Sequence, residues 1–331
     1  MLRYGILGFG HHAEKRLMPG FATAARSQAV AFWRNNQSLA PKTSAQYGLR
    51  SQSSPEALCA DPEVDAIFLA SPDSLHLEHA EIAFRHGKPV LCEKPMAMDV
   101  AQCERMLQSA QAAGVALSVA HVMRFHESVN LAREWVHSGR LGQILHARAE
   151  FTYPGLHSPR TWITDATLAC GGPTADVGVH CFDTLRYVLQ DEASAVFCRM
   201  ASDSQSGSVE ANATTLIEFA SGSSGDVFVT TRSPYRTYLE IIGTERTLES
   251  RNAFWVDGAV DVTLVEDSRE IERVTCDNTR AYADQVDAFA DHVLEGKPFP
   301  CTAEDGIANQ RIIDACYESA RTATRVAIAA K

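Results

Sequence analysis

"GILGFGHHA", residues 5–13, decides how the first third of the chain is read. A strand-like apolar run ends in Gly8-Phe9-Gly10-His11-His12-Ala13, with Gly-x-Gly-x-x-Ala spacing. Gly8 suits a tight turn, and Gly10 lets the backbone approach a pyrophosphate. Ala13 keeps the next helix close to the strand, and the start of that helix faces the phosphates. Alone, the pattern is weak. Its place directly after the first strand of a β-α-β unit raises it to a dinucleotide-site expectation, with His11 and His12 within reach of phosphate oxygens.

Outward from this loop, short apolar runs alternate with helical patterns to about residue 120: "YGILG", "AVAFW", "DAIFLA", "KPVLC" and "VALSVA". Such runs suit parallel strands buried on both faces. Between them, "DVAQCERMLQSAQAAG" reads as a helix capped by Asp99 and stopped by Gly114. From about 143 the rhythm changes to period two, in "QILHARAEFTY", "ASAVFCRMAS", "ATTLIEFA", "GDVFVTT", "TYLEIIG" and "VDVTLVED". Helical segments over roughly 280–295 and 303–325 close the chain. The expected fold is α/β. A Rossmann-type doubly wound parallel sheet spans 1–122, and an α+β domain with a large, mostly antiparallel open sheet spans 123–331, its last helices packing back on the first domain.

Composition sets the class. The 331 residues are 45% hydrophobic and 21% charged, which suits a globular protein with two cores. A net charge of -11 argues against nucleic acid or an anionic membrane as main partner, and the apolar runs are too short to span a bilayer. Nine scattered cysteines without a C-x-x-C pair, and a start without a leader pattern, give the expectation of reduced thiols in a cytoplasmic protein with no metal site.

The second strand ends in "FWRNN", with Arg34 and Asn35 where an NAD site usually carries an acid for the ribose hydroxyl. An arginine accommodates a 2′-phosphate instead, so NADP is the expected cofactor and NAD the alternative. At the end of a later strand, Ser71-Pro72-Asp73 and His76 border the same ligand. Helix capping and a surface face account for His76 and His79. A second puzzle is "ADVGVHCFDTLRYVL" (175–189), a core-like helix that carries Asp176 and His180 one turn apart. Spacing alone puts the two on one face.

At "KPVLCEKPMAMD" (88–99) the chain resembles the glucose-fructose oxidoreductase / inositol dehydrogenase / rhizopine-catabolism (Gfo/Idh/MocA) family of NAD(P)-dependent oxidoreductases. "MRFH" (123–126), "SGRLGQI" (138–144), "GGPTADVGVH" (171–180) and the closing "EDGIANQRIIDACYESA" (304–320) extend the resemblance over essentially the whole chain. Length and the positions of Glu93-Lys94, Trp162, Asp176 and His180 are also similar to the anhydrofructose reductase branch, from which "GFGHHA" and "FWRN" depart.

The resemblance implies hydride transfer between a nicotinamide and a sugar, polyol or related ring. It places Lys94 beside nicotinamide and substrate, with Glu93 before it and Pro95, often cis, after it. Asp176 and His180 complete the site, and the second sheet pairs into a homodimer or homotetramer. Histidine can give or take a proton near neutral pH, and a lysine can stabilise a developing oxyanion. Trp162 is assigned to the cofactor; Arg124, Phe125, Tyr153 and Tyr282 are assigned to the substrate. Two alternatives stay open: a non-catalytic NADP-binding sensor, and an enzyme that retains NAD(P) for redox-assisted elimination or glycoside cleavage.

Overall fold

The computed structural model describes residues 1–329; the final two positions of the expected second domain lie outside the described residues. Two compact units form, one from 1–122, 167–170 and 280–308, the other from 123–166, 171–279 and 309 onward.

In the first unit, β1 (Leu2–Leu7), β2 (Ser27–Trp33), β3 (Arg50–Ser51), β4 (Ala66–Leu69), β5 (Val90–Cys92) and β6 (Leu117–Val119) order as β3-β2-β1-β4-β5-β6. Every pairing is parallel. The helices between them are α1 (Met18–Thr23), α2 (Ala40–Tyr47), α3 (Pro55–Ala60), α4 (His76–Arg85) and α5 (Val100–Ala113). Tyr4, Ile6, Phe32, Ile67, Phe68 and Leu91 are fully buried, as strands covered on both faces require. Each such side chain contributes about 1.5–3 kcal/mol. Asp99 accepts the Gln102 N–H at 2.8 Å, and Gly114, at φ +66°, ends α5. The two-residue, exposed β3 left no apolar run in the sequence to mark it.

The second unit begins with α6 (Glu127–His137). It continues with β7 (Ile144–Pro154), α7 (Val179–Leu189), β8 (Ala193–Ala201), β9 (Asn212–Phe219), β10 (Ser224–Thr230), β11 (Arg232–Gly243), β12 (Thr247–Arg251), β13 (Ala259–Glu266) and β14 (Arg269–Asp277). Two helices, α8 (Ala281–Glu295) and α9 (Ala303–Thr322), and β15 (Val326–Ala327) follow. The sheet order is β14-β13-β12-β11-β7-β10-β9-β8-β15. Only β7 and β10 pair in parallel; the other neighbours are antiparallel. Ala213, Thr215, Ile217 and Phe219 alternate inward along β9, while Leu216 faces out at 55% exposure. The chain returns to the first unit in α8, where the Val286 carbonyl accepts the Tyr4 hydroxyl at 2.8 Å. Within the second unit, Ser319 of α9 accepts the Cys198 N–H of β8 at 2.9 Å. All nine cysteines are free, and among the described residues no helix is long and apolar enough to cross a membrane.

Candidate active site

Most candidate residues of the first unit follow the carboxyl ends of β2, β1, β4 and β5, four adjacent strands, and Tyr282 lies on α8. Gly8 has φ +98°, a conformation side chains resist, and a methyl group there would collide with the Ser71 backbone. Above Gly10 the space is open: an added carbon would meet nothing nearer than Gly8 O at 3.9 Å. A helix starts at once, with Glu14 N–H bonded to Gly10 O at 3.0 Å and a π-helical turn over Ala13–Leu17. Ala13 is fully buried. A turn without side chains, open space and a helix start fit a dinucleotide pyrophosphate. Phe9 offers only backbone to such a ligand, since its ring packs against Phe32 and Tyr47.

Two histidines fix the neighbouring strand ends, contrary to the expected surface face. His76 is 1% exposed and His79 5% exposed. The His76 ring nitrogens lie 2.9 Å from Ser71 O and 3.0 Å from Pro95 O, so one imidazole joins the β4 end to the turn carrying Lys94. His79 meets the Ser71 hydroxyl at 3.0 Å and the edge of Trp33. The sequence hid this because both partners are strand ends distant from α4. The Lys94–Pro95 peptide is cis.

His12 Nε2 lies 2.7 Å from Glu93 Oε1, and the Tyr282 ring stands edge-on to His12 at 6.0 Å. Tyr282 also crosses Gly20, where a methyl group would come within 2.8 Å of its Cβ; this places Tyr282 against the cofactor-loop helix. Asp73 accepts the Cys170 N–H at 2.9 Å, binding the 167–170 segment to this unit. Arg34 is folded onto α2, donating to Thr43 Oγ1 at 2.6 Å with Glu14 at 3.8 Å, while Asn35 is exposed.

The second unit holds Asp176 and His180 across the junction between a π-helical turn, Thr174–Gly178, and α7. Arg160 grips Asp176 with two bonds of 2.9 Å, and the Tyr153 hydroxyl donates to the same carboxylate at 2.6 Å. Burial, and then the Asp176 charge, push the Tyr153 phenol well above its ordinary pKa, so it stays a donor. His180, 8% exposed, stacks on Phe151 at 6.0 Å between ring centres. Trp162 lies half-buried in the turn Thr161–Thr164 of this unit. A cavity of about 210 Å³ is lined by Tyr153, Arg160, Asp176, Glu210 and Arg232 among others. A larger open trough of about 1030 Å³ on the β11–β14 face carries none of the candidate residues.

Glu210 and Tyr317 escaped the sequence reading and explain Gly171-Gly172. Glu210 accepts the N–H groups of Gly172 (3.0 Å) and Thr174 (2.8 Å) and the Tyr317 hydroxyl (2.9 Å), standing in for a helix cap. A methyl group on Gly171 would collide with Tyr317 Oη, and one on Gly172 with the Glu210 carbonyl. Arg124 is 6% exposed; its guanidinium pairs with Asp183 of α7, which is fully buried, and this makes Arg124 a brace for the helix carrying His180. Asn309 donates to Asp183 at 2.9 Å and accepts from Arg186 at 2.9 Å, completing a buried network. Phe125 is half-buried beside Arg124.

Residues 2–121 match the model of an oxidoreductase family with an NAD-binding Rossmann fold, and residues 129–249 match the GFO/IDH/MocA C-terminal domain. The 1,5-anhydro-D-fructose reductase of Ensifer adhaerens is 31% identical over 316 residues, covering 93% of this chain and 92% of that protein. D-xylose 1-dehydrogenase (NADP(+)) 2 of Haloferax volcanii is 29% identical over 98% of this chain and 99% of its own. Among solved structures, the aldose-aldose oxidoreductase from Caulobacter crescentus complexed with glycerol shares a TM-score of 0.90 at 26% identity, with 98% of this chain and 99% of that one covered. The glycine turn, the Glu93-Lys94-Pro95 turn and the Asp176/His180 helix thus sit in a chain that belongs to the GFO/IDH/MocA family, an oxidoreductase with an NAD(P)-binding Rossmann unit.

Proposed function

We propose that the chain oxidises or reduces a CH–OH/C=O group of a sugar or related polyhydroxylated substrate, with NADP as the preferred nicotinamide. The observation that carries this reading is the pair Asp176 and His180 at the start of a helix seated by Glu210 and braced by Arg124. An acid fixed by three hydrogen bonds, one helical turn from a stacked imidazole, supports a substrate-facing role for this polar stripe. Relatives named for a xylose dehydrogenase, an anhydrofructose reductase and an aldose-aldose oxidoreductase support a sugar substrate.

The bound nicotinamide supplies or takes up the hydride. Reduction of a carbonyl places negative charge on its oxygen, which then takes a proton; oxidation runs in reverse. In this reading Lys94 supplies the positive charge to that oxygen and His180 delivers or removes the proton. Asp176, held by a guanidinium and a phenol, orients substrate hydroxyls. Gly8, Gly10 and the His11–Ala13 helix start bind the pyrophosphate, and Arg34 with Asn35 meets the adenosine ribose. The protein acts as a homodimer or homotetramer through the second unit's sheet.

The test is a screen of purified protein with NADPH, NADH and their oxidised forms over aldoses, ketoses, polyols and cyclitols. Consumption of cofactor with one of these substrates is the expected result. Turnover with the cofactor retained and unconsumed would favour redox-assisted elimination instead.

A further inference from the structure

The 210 Å³ cavity of the second unit is lined by two arginines and two carboxylates, and every residue lining it belongs to that one unit. Two guanidiniums line it, and each is matched. Arg160 is spent bidentately on Asp176. Arg232 donates to Asp203 at 2.7 and 2.9 Å and to the Thr231 hydroxyl at 2.5 Å. The other lining carboxylate, Glu210, accepts from neutral donors: two backbone N–H groups and the Tyr317 hydroxyl. Two carboxylates and two guanidiniums thus line the cavity, and because Asp203 engages Arg232 from outside the lining, both guanidiniums are already held by a carboxylate. The remaining polar lining is hydroxyl and amide, from Ser158, Thr161, Thr164, Gln205 and Ser206.

We propose that this cavity selects an uncharged polyol part of the substrate and rejects carboxylate- or phosphate-bearing analogues, with Arg160 as the specificity-determining residue; this rests on the sugar-oxidoreductase reading above. An anionic ligand could be welcomed only by a guanidinium. To meet it, Arg160 would have to leave a paired, planar, two-bond contact with Asp176 and abandon a carboxylate that is only 12% exposed. Otherwise the anion sits beside Asp176 and Glu210 and is repelled. A neutral hydroxyl faces neither cost, since it can donate to carboxylate oxygens and accept from guanidinium or amide N–H groups. Arg160 is thus a positioning residue. It aims the Asp176 carboxylate and cancels its charge, and a lysine cannot reproduce the two-bond fork.

The experiment compares a neutral sugar accepted in the screen with the uronic acid of the same ring configuration, by KM and by equilibrium binding to the protein saturated with oxidised or reduced cofactor. Wild type should favour the neutral sugar by tenfold or more. Asp176→Asn releases the Arg160 charge and should narrow that binding ratio at least tenfold, even where turnover is poor. Arg160→Gln should widen it, and Arg160→Lys should raise KM for the neutral sugar more than it lowers kcat. Equal or tighter binding of the uronic acid by wild type overturns the proposal and leaves the sugar reading standing. An unchanged ratio in both Asp176→Asn and Arg160→Gln also overturns it. If no sugar, polyol or acid is bound or turned over, the sugar reading itself fails and the proposal falls with it.

Discussion

Glu93 Oε1 and His12 Nε2 lie 2.7 Å apart, so the helix that follows the glycine turn is tied directly to the residue before Lys94. Burial drives the Glu93 carboxyl up, and the charges of His12 and Lys94 more than reverse this, holding it below the usual carboxylate value. The pair couples the glycine-turn helix to the Glu93-Lys94-Pro95 turn. His12→Ala should cost on the order of 1–3 kcal/mol, because a buried acceptor loses its partner. Glu93→Gln should cost less in the His12→Ala background than in wild type, a non-additivity read by urea unfolding of the two single variants and the double. Strictly additive losses would show the contact to be energetically idle.

Arg34 is 12% exposed in its side chain and already held by Thr43. Its guanidinium is therefore partly ordered before a ligand arrives. Arg34→Ala should weaken NADPH binding by tenfold or more, the scale of a charge-assisted contact at about 1.5–3 kcal/mol, and NADH binding by only a few-fold. Fluorescence titration with both cofactors checks it; equal losses would remove Arg34 as the discriminator.

If Lys94 and His180 act on the substrate oxygen and its proton, neither is needed to hold the adenine end of the cofactor. Lys94→Ala and His180→Ala should each lower turnover about 100-fold or more while cofactor affinity changes only a few-fold. His180→Ala should also flatten the pH–rate profile near neutrality. Asp176→Asn should act mainly on KM. Single-turnover rates beside thermal melts separate these effects from unfolding: a His180→Ala protein that turns over normally refutes the assignment.

Acid sensitivity has an identifiable source. Burial lowers His126 from an ordinary 6.5 to about 4, with the Ala253 backbone opposing, and burial followed by the neighbouring His76 lowers His79 to about 4. Between those values the unfolded chain binds a proton that the folded chain refuses. The stability these two histidines contribute is therefore complete above about pH 6.5 and falls as pH drops toward 4, by roughly 3 kcal/mol at most for fully buried His126. In His126→Phe the fall between pH 6.5 and 4 should be shallower than in wild type. Parallel melting curves across that range would contradict this.

The outer face of the sheet exposes Leu216 (55%) and Phe228 (36%) on adjacent strands β9 and β10. Apolar residues of this size on neighbouring strands favour association when a second sheet covers them. Light scattering at micromolar concentration should give a dimer or tetramer, and Leu216→Lys with Phe228→Glu should shift it toward monomer. A wild-type monomer would end the proposal.

Much of the fold was legible because its signals are local. Gly8 and Gly10, the alternation of β9, and the Asp99 and Gly114 ends of α5 are each written within a few residues. What stayed hidden depends on partners that meet only after folding. Arg160 lies 16 residues from Asp176, and Tyr317 lies 107 from Glu210. Arg124 lies 59 residues from Asp183, so a cationic side chain after a strand read as a ligand contact. The burial of His76 and His79 followed from strand ends closing over α4, which no helical periodicity reports. Short polar strands such as β12 offered no apolar run at all.

The seat built by Glu210 and Tyr317 has a consequence for how this chain can vary. Gly171 and Gly172 leave no room for even one methyl group, and the side chain that forbids it at Gly171 comes from the closing helix, beyond the 129–249 stretch that marks the family. A shorter variant that keeps both family-matched segments yet ends before residue 309 would preserve Asp176 and His180 in its sequence. It would lose the Tyr317 wedge at Gly171, while Gly172 would stay confined by Glu210, so the entrance of their helix would be held on one side only. Through Tyr317 the closing helix thus acts as a doorstop at the entrance of the Asp176/His180 helix, far along the chain from the residues it seats.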